Sequence, residues 1–179
     1  TYTPNENYNG DDTFTYKVND GTDDSNTSTV TITINPVNDA PVVSDLQSSV
    51  DEDNALDVTL EGSDVEGDDL TYSIVDNPSN GTVSLDGDKV TYTPNENYNG
   101  DDTFTYKVND GTDDSNTSTV TITVNPVNDA PVSESQTVEA TEQTEKIITL
   151  AGTDIDEDSL SYFILGLYCV FCVCVFLLF

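Results

Sequence analysis

Apolar and polar residues alternate along most of this chain in short runs, and a period of two assigns strands rather than helices. The clearest run sets Phe104, Tyr106 and Val108 on one face against Thr103, Thr105 and Lys107 on the other, and Val120, Ile122 and Val124 repeat the pattern. These predict two strands, F and G. Upstream, Leu56, Val58 and Leu60 predict strand B, and Leu70, Tyr72 and Ile74 predict strand C. A first strand, A, is expected from Val42 to Val50; D (Thr82 to Leu85) and E (Lys89 to Thr93) flank Asp86-Gly87-Asp88, whose glycine and aspartates predict a hairpin turn. No run in this body carries the helical period.

The pattern is itself repeated. Residues Thr1 to Val42 recur at Thr91 to Val132, an offset of 90 (91 − 1), with Ile34 against Val124 as the only difference. Further on the match thins to Leu60, Gly62, Asp64, Asp68, Leu70, Tyr72 and Ile74 against Leu150, Gly152, Asp154, Asp158, Leu160, Tyr162 and Ile164. Such a period marks an array of domains. The expected organisation is the end of one repeat over 1–38, a complete repeat over 39–128, and the start of a third over 129–164. Seven short strands in about ninety residues predict an all-β fold of tandem immunoglobulin-like Greek-key sandwiches.

Each repeat ends in Asn-Pro-Val-Asn-Asp-Ala-Pro-Val, at Asn35 to Val42 and at Asn125 to Val132. Its two prolines fix φ and remove backbone donors, so the chain leaves one sheet in an extended linker and cannot continue pairing. In a seven-strand sandwich the B-C and F-G loops lie where the chain comes in, and the A-B and E-F loops where it leaves. The A-B loop Asp51-Glu52-Asp53-Asn54 and the E-F loop Pro94 to Gly100 are therefore expected beside the second linker. Across that linker the next repeat presents its B-C loop, Thr153 to Asp158.

Composition sharpens this picture. The chain of 179 residues has 35 acidic residues against four lysines, no arginine and no histidine, for a net charge of −31. A nucleic-acid partner is excluded, because phosphate binding needs the opposite sign. Converging carboxylates would push the domains apart unless a cation neutralised them. Oxygen ligands alone, gathered from several loops, suit calcium better than magnesium. The plain alternative is a solvated acidic surface that keeps the protein soluble. An EF-hand is excluded, since position 12 is Val75 counted from Asp64 and Leu165 counted from Asp154, where a bidentate glutamate is required. No histidine, nucleophile motif or glycine-rich phosphate loop points to an enzyme.

The stretches Asp-Val-Glu-Gly-Asp-Asp-Leu-Thr-Tyr-Ser-Ile (64–74), Tyr-Thr-Pro-Asn-Glu-Asn-Tyr-Asn-Gly-Asp-Asp-Thr-Phe-Thr-Tyr (92–106) and Asn-Asp-Ala-Pro resemble the cadherin-like tandem repeats of large bacterial surface and secreted adhesins. The resemblance covers residues 1–162. It implies calcium between successive domains, held at the second linker by Glu52, Glu96, Asn128, Asp129, Asp154 and Asp156. At the first linker the counterparts are Glu6, Asn38, Asp39, Asp64 and Glu66, and the aligned Asp68 and Asp158 complete the candidate set. The linker lacks the full Asp-x-Asn-Asp-Asn of cadherins, which leaves the number of ions per linker open. For the F-G loop acids Asp110, Asp113 and Asp114, ligands and a solvated turn are equal alternatives. The implied partners are calcium and, for an adhesin, a cell-surface protein, a glycan or another copy; the implied location is extracellular or on the cell surface. The alternative is a passive acidic stalk that carries an enzymatic or ligand-binding domain elsewhere.

Asn26, Asn80 and Asn116 begin Asn-x-Ser/Thr triplets, read here as turn chemistry ahead of glycosylation. Tyr98 and its copy Tyr8 are expected to pack under the E-F corner. The absence of methionine and a first residue inside a repeat are expected of a piece of a longer chain. Tyr162 to Phe179 is uncharged and almost wholly apolar, near the lower limit for a membrane-spanning helix. It begins inside the third repeat's strand C, no Lys or Arg follows it, and it holds all three cysteines, Cys169, Cys172 and Cys174. That switch favours a chain read out of frame beyond Ile164 over a genuine membrane anchor.

Overall fold

The structure, a computed structural model, describes residues 1–165, and all of its regular elements are strands. They are β1 (Gly10–Tyr16), β2 (Ser28–Ile34), β3 (Val42–Val43), β4 (Leu46–Asp51), β5 (Leu56–Thr59), β6 (Gly62–Ser63) and β7 (Thr71–Asp76). Then follow β8 (Gly81–Asp86), β9 (Lys89–Pro94), β10 (Gly100–Asn109), β11 (Ser118–Asn125), β12 (Val132–Ser133) and β13 (Gly152–Thr153). The chain divides into two compact units, Thr1–Pro126 and a second that starts at Val127.

Within the first unit, residues 42–125 build an immunoglobulin-like sandwich from a four-stranded sheet, ordered β4-β11-β10-β7, and a three-stranded sheet, ordered β5-β9-β8. Pairing is antiparallel except between β4 and β11, which run parallel from Leu46↔Val120 to Asp51↔Asn125. The predicted strand A is interrupted. Its first part, β3, pairs with β6, and its second part, β4, has changed sheets to pair with β11. Inward residues fill the space between the sheets: Val58 and Leu60, Val90 and Tyr92, Phe104, Tyr106 and Val108, and Val120, Ile122 and Val124 are all buried. Removing this alternating set from water is the dominant favourable term in closing the sandwich. Leu56, Leu70, Tyr72 and Ile74 pack against it, partly buried.

The β8–β9 hairpin closes through Gly87 and Asp88, with Asp86 paired to Lys89. Gly87 has φ 63°, matching a type II′ turn, whose twist follows that of the flanking strands. Two side chains fasten the rest. Asp102, 4% exposed, accepts hydrogen bonds from the backbone N–H of Ser79 (3.1 Å), Asn80 (2.9 Å) and Thr103 (3.0 Å) and from the Tyr92 hydroxyl (3.0 Å). It ties the β7–β8 connection to the core. Asn116 takes the Val43 N–H at 3.1 Å and donates to the Val43 carbonyl at 2.9 Å, pinning β3. Tyr98 packs against the core and donates to the Asp101 carbonyl at 2.7 Å, as expected at the E-F corner.

Ahead of the sandwich, β1 and β2 form an antiparallel hairpin from Gly10↔Ile34 to Tyr16↔Ser28, the register of β10–β11 displaced by ninety. In the second unit β12 pairs with β13 over Val132↔Thr153 and Ser133↔Gly152. Leu160, Tyr162 and Ile164, expected in a strand C, lie in none. In the sandwich that strand is held by β10, and among the described residues of the second unit no equivalent strand follows. Among the described residues no helix is long and apolar enough to cross a membrane. Residues 166–179, which carry most of the apolar tail and the three cysteines, lie outside the described residues.

Candidate metal-binding loops

The first linker reaches the sandwich at the end formed by the β6–β7 (B-C) and β10–β11 (F-G) loops. The Asn38 amide nitrogen donates to Asp110 Oδ2 at 3.0 Å and to Asp113 Oδ2 at 3.1 Å. The backbone N–H of Asp39 donates to Glu66 Oε2 at 3.2 Å. Asp64 caps its own loop, its Oδ1 accepting from the Asp68 N–H at 3.0 Å. Its other oxygen, Oδ2, is buried and has no hydrogen-bond partner. A buried carboxylate oxygen without a donor is costly unless a cation or an ordered water meets it. Asp64 is thus the candidate ligand with an oxygen left open to such a partner.

The F-G loop is drawn into this group by its own turn. Asp110 Oδ1 accepts from the N–H groups of Asp113 and Thr112, both at 2.7 Å, which turns Oδ2 toward Asn38. The amides of Asp113 and Thr112, and then the Asn38 side chain, hold the Asp110 carboxyl below the usual carboxylate range. Asp114 faces elsewhere: it pairs with Lys107 at 2.6 Å, and that hydrogen bond, with a second from Asn109, lowers its pKa. The alternatives left open for this loop therefore separate, with Asp110 and Asp113 at the linker and Asp114 in an ion pair on β10.

Glu6 stands in an exposed turn beside Asn7, whose φ is 57°, and among the described residues no hydrogen bond joins it to Asn38, Asp39 or Asp64. Its copy Glu96 occupies the same turn beside Asn97, φ 56°. At the far end of the sandwich the A-B and E-F loops meet as expected. The Asn97 N–H donates to Asp53 Oδ1 at 3.2 Å, and the Glu52 N–H donates to the Asn125 carbonyl at 2.9 Å. Glu52 is 2% exposed.

The second unit repeats part of the first linker's arrangement. The Asp129 N–H donates to Asp156 Oδ2 at 2.7 Å, as Asp39 does to Glu66. Asp154 Oδ1 accepts from the N–H groups of Asp156 (3.0 Å) and Asp158 (3.2 Å), and Asn128 donates to the Asp129 carbonyl at 2.8 Å. Among the described residues no three acidic side chains stand close enough together to hold a metal ion. An ion would have to draw the loops in, which flexible multi-loop calcium sites permit.

Two residues stand outside the original candidate set. Asp102 lies on the inward face of β10 by the same alternation as Phe104 and Tyr106, and that parity is the signal for its burial. Asn116, the first residue of a glycosylation triplet, has its side-chain nitrogen engaged with Val43 and with Ser118 Oγ at 3.2 Å.

Residues 1–33 and 38–123 match the Bacterial Ig domain family. This chain belongs to that family. The first matched segment stops just before the first linker and the second restarts inside it, at Asn38. Integrin beta-like protein A of Dictyostelium discoideum is 32% identical over 84% of the chain, and integrin beta-like protein B of the same organism is 30% identical over 67%. The chain spans only 9% and 7% of the lengths of those two relatives. Among solved structures, the endo-fucoidan hydrolase MfFcnA4 of glycoside hydrolase family 107 is similar over 66% of this chain and 19% of its own, at 27% identity and a TM-score of 0.44. The first two extracellular domains of chicken VE-cadherin are similar over 56% of this chain and 58% of their own, at 20% identity and a TM-score of 0.41. Both scores lie below 0.5, so the fold assignment rests on the strand order and on membership of the bacterial Ig domain family.

Proposed function

We propose that this bacterial Ig-type chain is a non-enzymatic segment of an extracellular adhesion or spacer array whose interdomain linkers are stiffened by calcium, in the manner of cadherin-like repeats. The observation that carries the reading is Asp64 Oδ2, a buried carboxylate oxygen without a donor in the loop that meets the linker. Asn38, Asp39, Asp64 and Glu66 would hold the ion, with Asp110 and Asp113 supplying further carboxylates once Asn38 turns its carbonyl oxygen inward. Asp68 would tie the loop beneath them. Asn128, Asp129, Asp154, Asp156 and Asp158 would serve the second linker, and Glu6, Glu52 and Glu96 would contribute from the preceding repeats. Bound calcium would cancel the repulsion among these acids and fix the direction in which one repeat follows the next. The names of the integrin beta-like relatives support an adhesion role and a cell-surface location.

The rival reading, a passive stalk, is favoured by one contact: the Asn38 amide already bridges Asp110 and Asp113 without a metal. Calorimetry and small-angle scattering separate the two. In the first reading the wild type binds calcium at micromolar to millimolar concentration and becomes longer and stiffer. Asp64→Asn then loses at least about tenfold in affinity and does not stiffen, while its melting temperature in chelator stays unchanged. Equal binding and equal stiffening in the two proteins would sink the linker model, and no binding to either would favour the stalk.

A further inference from the structure

Beside the start of β7 and the β8–β9 turn lies a groove of about 710 Å³, separate from the linker contacts of Asn38 and Asp39. Leu70, Tyr72 and Leu85 form its floor, partly buried against the core, and Asp68, Asp69 and Asp88 stand exposed around it. β7 and β8 are the outermost strands of their sheets, so the groove opens where the two sheets have no further neighbour. Among the described residues the single salt bridge is Lys107–Asp114, so no ion pair engages the rim carboxylates, Lys89 beside Asp88 included. The six residues of β7, Thr-Tyr-Ser-Ile-Val-Asp, contain neither proline nor lysine, the residues that usually keep an edge strand from pairing.

We propose that this groove binds an extended segment of a partner protein in which an aliphatic or aromatic side chain is flanked by lysine or arginine. The apolar residue would cover Leu70, Tyr72 and Leu85, and its basic neighbours would reach Asp68, Asp69 and Asp88. The free edge of β7 would supply main-chain donors and acceptors to the extended backbone. An apolar floor offers a metal ion no ligand, and the acidic rim repels an anionic segment. Charge complementarity and the exposed edge together select a basic, extended occupant. The proposal shares only Asp68 with the calcium reading and is tested in chelator.

The probe is a capped, fluorescein-labelled peptide, Lys-Val-Lys-Phe-Lys-Val-Lys, titrated with the full chain at about 0.15 M salt, near the ionic strength where long-range attraction is screened. Amide NMR shifts are expected at Leu70 to Ser73 and at Leu85 to Asp88. The double variant Asp69→Asn/Asp88→Asn should bind about tenfold more weakly, as expected for the loss of two rim charges. Removing two charges in the second unit, Glu139→Gln/Glu142→Gln, should change nothing. Both variants alter exposed side chains, and circular dichroism would confirm that each stays folded. Equal weakening by the two variants would mean unspecific attraction to a chain of charge −31 and would overturn the proposal. So would shifts spread away from the groove, or the absence of binding.

Discussion

Asp102 shows how much a single side chain does once its surroundings are fixed. Its carboxylate satisfies the N–H groups of Ser79 and Asn80 at the part-buried β7–β8 connection and, inside the sandwich, the hydroxyl of the fully buried Tyr92, which has no water to turn to. Hydrogen bonds to buried charges contribute about 1.5–3 kcal/mol each, and orphaned donors cost more than absent ones. Asp102→Ala should therefore lower stability by about 3 kcal/mol in urea unfolding. In β1 its copy Asp12 accepts from Tyr2 (2.8 Å) and Thr13 (2.7 Å) at an exposed position, and Asp12→Ala should cost far less. Asp110 gives a pH signature. Its folded-state pKa lies below the ordinary value, so its contribution is complete above about pH 4 and is lost as pH falls through the lower folded-state pKa. Carboxyl-carbon NMR should place its midpoint below that of a free aspartate, and Asn38→Ala should move the midpoint up. The parity of Asp102 in strand F was visible in the sequence. The convergence of Asn38 on Asp110 and Asp113 was not, because 72 and 75 positions separate the partners.

At the scale of the element, the strands followed the alternation closely, and the departures occur where one element needs another. Strand A reads as one run from Val42 to Val50, yet the fold breaks it so that β3 pairs with β6 and β4 with β11. No local preference dictates that change of sheet; Asn116, from the β10–β11 connection, holds β3 in place by clasping both backbone groups of Val43. Asn116→Ala should release β3 at a cost of about 1–2 kcal/mol, seen as faster amide exchange at Val43 while the β10–β11 amides stay protected. A glycan on Asn116 would take one of the two hydrogens that its side-chain nitrogen donates to Val43 and Ser118, which favours the structural reading of that triplet. The β8–β9 hairpin has a similar hidden requirement at Gly81. A Cβ there would lie 2.6 Å from Tyr92 Cε2 and 2.7 Å from the Thr93 carbonyl oxygen, and neither a fully buried tyrosine nor a paired backbone can yield. Gly81→Ala should therefore destabilise the sandwich by about 1–3 kcal/mol in thermal or urea unfolding.

At the scale of the whole molecule the charge of −31 bears on every interaction, and the ion that relieves it separates two accounts of the acidity. If the linkers hold calcium, its effect on interdomain stiffness should saturate by millimolar concentration, whereas sodium chloride should act gradually and without saturation. Measuring the scattering length against each salt distinguishes them. The hairpins β1–β2 and β10–β11 offer an internal control, since their sequences differ only at Ile34 and Val124. Phe104 is 1% exposed and Phe14 is 50% exposed; Tyr106 is fully buried and Tyr16 is 49% exposed. Phe104→Ala should cost about 3–5 kcal/mol in urea unfolding, and Phe14→Ala only a small fraction of that. The registers of the two hairpins are identical, Gly10↔Ile34 against Gly100↔Val124, because alternation, turn residues and cross-strand pairs act within the hairpin that carries them. That much the sequence determined by itself, together with the sandwich class and the acidic loops at its ends. Which sheet strand A joins, and that Asn38 reaches across to the F-G loop, were decided only by tertiary structure. Long-range pairings and hydrogen bonds depend on which segments, distant along the chain, the fold brings to the same face, and no local pattern encodes that.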